Sequence, residues 1–237
     1  MIRIIAFEGC DCVGKSTTIE YLIKRLKALN YKPIVFHLAG PNEEEKSFFN
    51  FNNFPGINKN DLGTIIQYEK FYQMFKMIQP ILDSDPYNII ILDRTPFSEL
   101  VWSPFFNRES KKYSSKKLMD KFLKLFENVK SQMMYIELTA SSEILVDRII
   151  LKEEDYLNFI NAFNNLKDAT NKKYEYINPN DPDSAKILYM INFIKEQYES
   201  VKLLLRNNGI FSKTFLNNNN EDMFNIVDYI LNNFLIK

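Results

Sequence analysis

Cysteine and histidine are nearly absent from this chain of 237 residues, which has two cysteines, Cys10 and Cys12, and one histidine, His37. A Cys-x-Cys with one distant imidazole cannot complete a zinc tetrahedron. The pair therefore reads as small residues in a turn, and the scarcity of thiols favours a reducing, cytoplasmic setting. Charge of one sign is lacking too: 30 basic residues face 30 acidic ones. Nothing global then draws the chain to nucleic acid or to an anionic membrane, and small-molecule partners are expected. No apolar run reaches the length of a membrane span. The apolar start, Met1 to Phe7, runs straight into Glu8 and Gly9 without a cleavage site, so no signal peptide is expected. Internal repeats and clear linkers are also missing, and the Asn217–Asn220 run reads as compositional bias in a loop.

What is present suits one α/β domain over 1–237, with 46% apolar residues to build a core. Ile2 to Phe7, Pro33 to Leu38, Asn88 to Leu92, Met133 to Leu138 and Ile210 to Phe215 read as strands. Between them fall helical patterns. Ile19, Leu22, Ile23, Leu26 and Leu29 recur at steps of three and four. Asp61 is placed to cap a helix running to about Leu82. Further helices are predicted over 114–129, 141–150, 184–207 and 221–234, and a helical lid over about 148–178. Strands alternating with helices predict a parallel sheet covered on both faces. Residues 40–60, rich in Asn with Gly and Pro, read as a long loop.

Gly9-Cys10-Asp11-Cys12-Val13-Gly14-Lys15-Ser16 matches G-x-x-x-x-G-K-S without a gap, followed by Thr17. Successive backbone N–H groups must curl around a phosphate, which needs glycine where a side chain would obstruct. Lys15 is placed to meet the outer phosphates and Ser16 to give its hydroxyl to Mg²⁺. The following helix turns its positive end to the anion. An apolar strand before the motif and an amphipathic helix after it are the context a P-loop NTPase fold requires. ATP and Mg²⁺ are the expected ligands.

Three features bear on a second substrate. Asp11, inside the loop, is placed to reach over the phosphates, or merely to stabilise the turn. Asp93-Arg94-Thr95-Pro96-Phe97-Ser98 follows a strand whose end should line the ligand crevice. Asp93 suits Mg²⁺ held through water, and Arg94 an acceptor phosphate gripped by its planar fork. Tyr135-Ile136-Glu137-Leu138 and then Asp147-Arg148-Ile149 read as a strand leading to the helix that carries the lid.

On these residues the chain resembles thymidylate kinases. Their Phe-Glu-Gly-x-Asp-x-x-Gly-Lys-Ser-Thr start and Asp-Arg-x-x-x-Ser segment both stand here with matching spacing. The resemblance covers the chain to about Ile150, and its last strand and helix more weakly. It implies a five-stranded parallel sheet, ATP and Mg²⁺, and dTMP or a related deoxynucleotide as acceptor. It places Asp11 at the acceptor's sugar and phosphate, Arg94 at its phosphate, Ser98 among the acceptor-binding residues, Phe71 or Tyr72 against its base and Arg148 at the donor. It also makes a homodimer the assembly to look for. Three departures stand out. His37-Leu38-Ala39-Gly40-Pro41 lacks the family's arginine after the second strand, Tyr68-Glu69-Lys70-Phe71 offers only Lys70, and Cys12 stands where some members carry arginine. The lid would then supply a cation, from Arg148, Lys152, Lys167, Lys172 or Lys173. Other readings stay open: a modified or different deoxynucleotide acceptor, a deoxynucleoside kinase with Glu8 as base, and a nucleotide-binding protein without turnover. Phe71, Tyr72 and Phe75 fall at helical spacing and equally suit the core.

Overall fold

The computed structural model describes residues 2–37, 59–102, 120, 123–124, 126–169 and 182–235; of 59–70, 99, 165–169, 234 and 235 it describes the backbone alone. Five strands form one sheet: β1 (Ile4–Gly9), β2 (Lys32–His37), β3 (Asn88–Asp93), β4 (Met133–Thr139) and β5 (Phe211–Leu216). Their order is β2-β3-β1-β4-β5, and every pairing is parallel. Every residue of β1 is buried, as are Asn88–Leu92 and Met133–Leu138, because both faces of a central parallel strand are covered. The edge strands β2 and β5 are only half-buried.

Seven α-helices are described. They are α1 (Lys15–Ala28), α2 (Lys59–Ser84), α3 (Ser98–Trp102), α4 (Ser142–Ile150), α5 (Glu153–Ala169), α6 (Asp183–Asn207) and α7 (Asn220–Ile230). In α1 the buried face is Thr18, Ile19, Leu22 and Leu26, whereas Ile23 lies at its margin and Leu29 is an exposed C-cap. α1 packs against α7, and α6 packs against α3, α4, α5 and β5. The sheet is thus covered on both faces, as the alternating pattern predicts.

The chain leaves β1 toward β2 and β3 on one side, then returns past β1 to lay down β4 and β5 on the other. That reversal puts a crevice beyond the carboxyl end of β1, where parallel α/β sheets bind ligands. No described helix is long and apolar enough to cross a membrane.

Two expectations need correction. α2 begins at Lys59, so Asp61 lies in its first turn and is not its cap. The asparagine run is a structural element as well. Asn219 caps α7 by accepting from Asp222 N at 3.0 Å, Asn217 donates to Val13 O in the phosphate loop, and the Asn218 carbonyl accepts from Arg148. The helix expected over 114–129 lies largely outside the described residues, as do residues 170–178 of the expected lid.

Candidate active site

The loop from β1 into α1 turns through three left-handed residues, Gly9 (φ 138), Cys12 (φ 61) and Gly14 (φ 88). Alternating backbone signs curl successive amides into an anion-binding concavity. A Cβ on Gly9 would stand 2.2 Å from the Leu138 carbonyl oxygen in β4, so only glycine fits there. Cys10 and Val13 point their side chains into the core, so their contribution to a ligand is through the backbone.

Lys15 is almost buried, and its ammonium donates to the carbonyls of Gly9 and Cys10 at 3.1 and 3.0 Å. Burial and the charge of Arg94 push its pKa below the usual lysine value. Two crowded cations at one loop form a site that an anion relieves.

A cavity of about 490 Å³ opens here. Asp11, Cys12, Gly14, Lys15, Ser16, Thr17, Asp93, Arg94, Arg148, Lys152 and Asp155 line it. Most residues expected at the site therefore meet at one place, although 83 positions separate Asp11 from Arg94. The Arg94 Nη2 donates to Asp11 Oδ1. Its Nη1 is buried and meets no hydrogen-bond partner among the described residues. Arg94 has φ 75, a conformation rarely adopted outside glycine, and lies over the Trp102 ring at 5.7 Å. Burial works against its charge, but Asp11, Tyr198 and Glu8 outweigh burial and hold its pKa above the usual value.

Ser16 and Asp93 line the same cavity. Their hydroxyl and carboxylate oxygens suit Mg²⁺, which takes one or two protein ligands and completes its shell with water and phosphate. The donor set therefore fits that ion. Asp93 also stands 3.1 Å from Nδ1 of the exposed His37.

Beneath the loop, Glu8 is fully buried. Its Oε1 accepts from Thr95 N, Thr95 Oγ1 and Ser98 Oγ at 2.5, 2.7 and 2.7 Å, and its Oε2 from the Tyr198 hydroxyl at 3.2 Å. Burial raises its pKa while Arg94 and these hydrogen bonds pull it back. Tyr198 also donates to Gly9 O, so α6 props the first glycine of the loop. Neither Thr95 nor Tyr198 stood out in the sequence. Tyr198 lies 190 positions from Glu8, and no local pattern marks it.

Two residues expected at the acceptor are not brought to the cavity. Ser98 spends its hydroxyl on Glu8 and on Thr95 O, and Phe71 is buried in the core. Arg148 does reach the cavity, but its guanidinium is occupied. It donates to the carbonyls of Cys12, Asn217 and Asn218 at 3.3, 3.2 and 2.6 Å. It is a clamp between the phosphate loop and the β5–α7 turn. A second cavity of about 250 Å³ adjoins it, lined by Cys12, Gly14, Thr17, Arg148, Asn217, Asn219, Asn220 and Met223. Of the candidate lid cations, Lys152 lines the main cavity. The side chains of Lys70, Lys167, Lys172 and Lys173 lie outside the described residues.

A phosphate loop at the end of the central strand, the order β2-β3-β1-β4-β5 and helices on both faces define a P-loop NTPase fold. No family model and no curated protein matches the chain. Solved structures do. Thymidylate kinase from Candida albicans aligns with a TM-score of 0.53 at 14% identity, over 98% of this chain and 92% of that one. The YorR protein from Bacillus subtilis, solved in complex with phosphorylated GDP, aligns at 19% identity over 97% and 96%, with a TM-score of 0.48.

Proposed function

We propose that this chain is a nucleotide kinase that moves the γ-phosphate of ATP to a deoxynucleoside monophosphate, dTMP or a related one. The observation that carries the reading is the largely covered Arg94 guanidinium, whose side chain is 15% exposed. One of its nitrogens is fixed by Asp11 and another is buried without a hydrogen-bond partner among the described residues, beside a phosphate loop lining the same cavity. A protein that held one nucleotide alone would gain little from a second largely covered cation so placed. A second anionic substrate gives it a use. The fold shared with thymidylate kinase from Candida albicans is in keeping with this acceptor.

Phosphoryl transfer asks for alignment and charge neutralisation more than covalent help. Lys15 exchanges the Gly9 and Cys10 carbonyls for donor phosphate oxygens. Arg94 holds the acceptor phosphate by Nη1 while Asp11 fixes Nη2. Ser16 and Asp93, which line the cavity, would hold Mg²⁺, and the bound ion would supply neutralisation of donor charge. An acceptor phosphate oxygen attacks the γ-phosphorus, the bond to the β-phosphate oxygen breaks, and ADP leaves. A phosphate dianion needs no general base. A nucleoside acceptor would need one, and Glu8 is poorly placed for it. It lies buried below the loop with both oxygens engaged by protein donors, outside the cavity lining.

The test is ADP release from ATP and Mg²⁺ with each deoxynucleoside monophosphate and with thymidine. Release with one monophosphate, absent with thymidine and abolished in Lys15→Ala, is the expected result. Release with thymidine alone would move the activity to a nucleoside kinase, and no acceptor-dependent release would sink the reading.

A further inference from the structure

We propose that Asp155 is a positioning residue for this transfer: it holds the Lys152 ammonium at the phosphate cavity and senses the P-loop through the Cys12 thiol. The inference rests on the kinase reading above. Two donors converge on one oxygen: Oδ2 of Asp155 accepts from Lys152 Nζ at 2.6 Å and from Cys12 Sγ at 3.0 Å. All three residues line the cavity that Lys15 and Arg94 share.

A carboxylate in a cavity shaped for phosphates repels the ligand and loses its own hydration. Asp155 is nonetheless only 8% exposed. It sits in the first turn of α5, where a carboxylate gains from the helix dipole. That gain needs neither burial nor a hydrogen bond from a thiol 143 positions away. Lys152 supplies the missing reason. Its side chain is 62% exposed, so without a partner its ammonium would sample many rotamers. Ion pairing fixes it before substrate arrives and lowers the ordering cost in the transition state.

The thiol links this pair to the loop. Cys12 is one of the left-handed loop residues, and its carbonyl is held by Arg148. Any movement of the loop around a phosphate is then felt at Asp155 and passed to Lys152. One turn further along the same face of α5, Phe159 packs edge-on against Trp102 with centroids 6.3 Å apart, and Arg94 lies over that indole. A single helix therefore touches the donor loop and, through Trp102, the acceptor arginine. Burial and the Asp155 hydrogen bond push the Cys12 thiol up to about 12, which leaves it a hydrogen-bond donor at neutral pH.

The experiment compares kcat and the KM for ATP in the wild type, Asp155→Asn, Lys152→Ala and the double variant, with the acceptor the wild type uses best. Each single change should lower kcat by about tenfold, the scale of one charge-assisted hydrogen bond removed from the transition state. The KM for ATP should move far less, and the double variant should be no worse than Lys152→Ala. Cys12→Ala should also lower kcat, and Cys12→Ser, which keeps a donor, should recover part of it. An unchanged kcat in Asp155→Asn overturns the proposal, as does a double variant whose loss is the product of the singles. Lys152→Ala, at an exposed position, guards against a folding defect posing as a result. Iodoacetamide labelling of Cys12 needs no acceptor and should speed up in Asp155→Asn; an unchanged rate removes the link to the loop. Failure of the kinase reading looks different, because the wild type itself then gives no acceptor-dependent ADP, and the inference falls with it.

Discussion

Replacing Arg94 by lysine should separate the two substrates. In the proposed transfer the arginine serves two anions from one planar group, with Nη2 on Asp11 and the unpaired Nη1 left for the acceptor. A lysine keeps the charge but offers one ammonium, which cannot sit at both positions. The Asp11 carboxylate is local and always available, so the acceptor phosphate is the partner that loses. Losing one hydrogen bond to a charged group is worth about 1.5–3 kcal/mol, or roughly ten- to hundredfold in kcat/KM for the acceptor. The phosphate loop keeps Lys15, Ser16 and its glycines, so ATP affinity should stay within about threefold of wild type. Initial rates of ADP release at saturating ATP with varied acceptor give the first quantity, and calorimetric titration of ATP without acceptor gives the second. An ATP affinity that falls as far as the acceptor kcat/KM would refute the division of labour, since Arg94 would then belong to the donor site.

Gly14→Ala puts a Cβ 2.6 Å from Asn217 Nδ2 at a residue with φ 88, and so breaks the Asn217 bond to Val13 O. The backbone strain alone is about 1–3 kcal/mol, so a lower melting temperature and loss of ATP binding are expected, and wild-type binding would contradict this. Cys12 is pushed up to about 12 and the buried Cys10 higher still, both chiefly by burial. At a pH of about 8 neither is a thiolate, so alkylation followed by mass spectrometry should be far slower than for a free thiol until the chain is denatured. The fully buried Tyr135 hydroxyl has no hydrogen-bond partner among the described residues. Tyr135→Phe should then raise stability by about 1 kcal/mol in a thermal melt, and a drop would show that the hydroxyl is satisfied.

The phosphate loop was legible because its geometry is local. Eight consecutive residues set the backbone signs and place one ammonium and one hydroxyl. Asp93 and Arg94 were legible because the end of an apolar parallel strand marks the crevice. The supports of the site were not. Tyr198 and Asp155 become neighbours of the loop only through the packing of α6 on β5 and of α5 on α4 and α6, which periodicity leaves undetermined. Ser98 follows Arg94 at the spacing the motif requires, but its hydroxyl is claimed from below by Glu8. Asn217–Asn220 stood in plain view as a homopolymeric stretch. What each of those asparagines does depends on which carbonyl or amide faces it, and composition carries no such information.

The Glu8 network also bears on the order of assembly. The first glycine of the loop rests on Tyr198, and Val13 is held by Asn217, so the nucleotide cradle written at the start of the chain is closed by residues from its last fifth. Pairings of such sequence separation form late, because a long loop must be closed before they are rewarded. A nascent chain can lay β1 against β3 well before these props exist. The capacity to hold ATP should accordingly appear only once α6 and the turn after β5 have docked, so nucleotide binding reports completion of the fold.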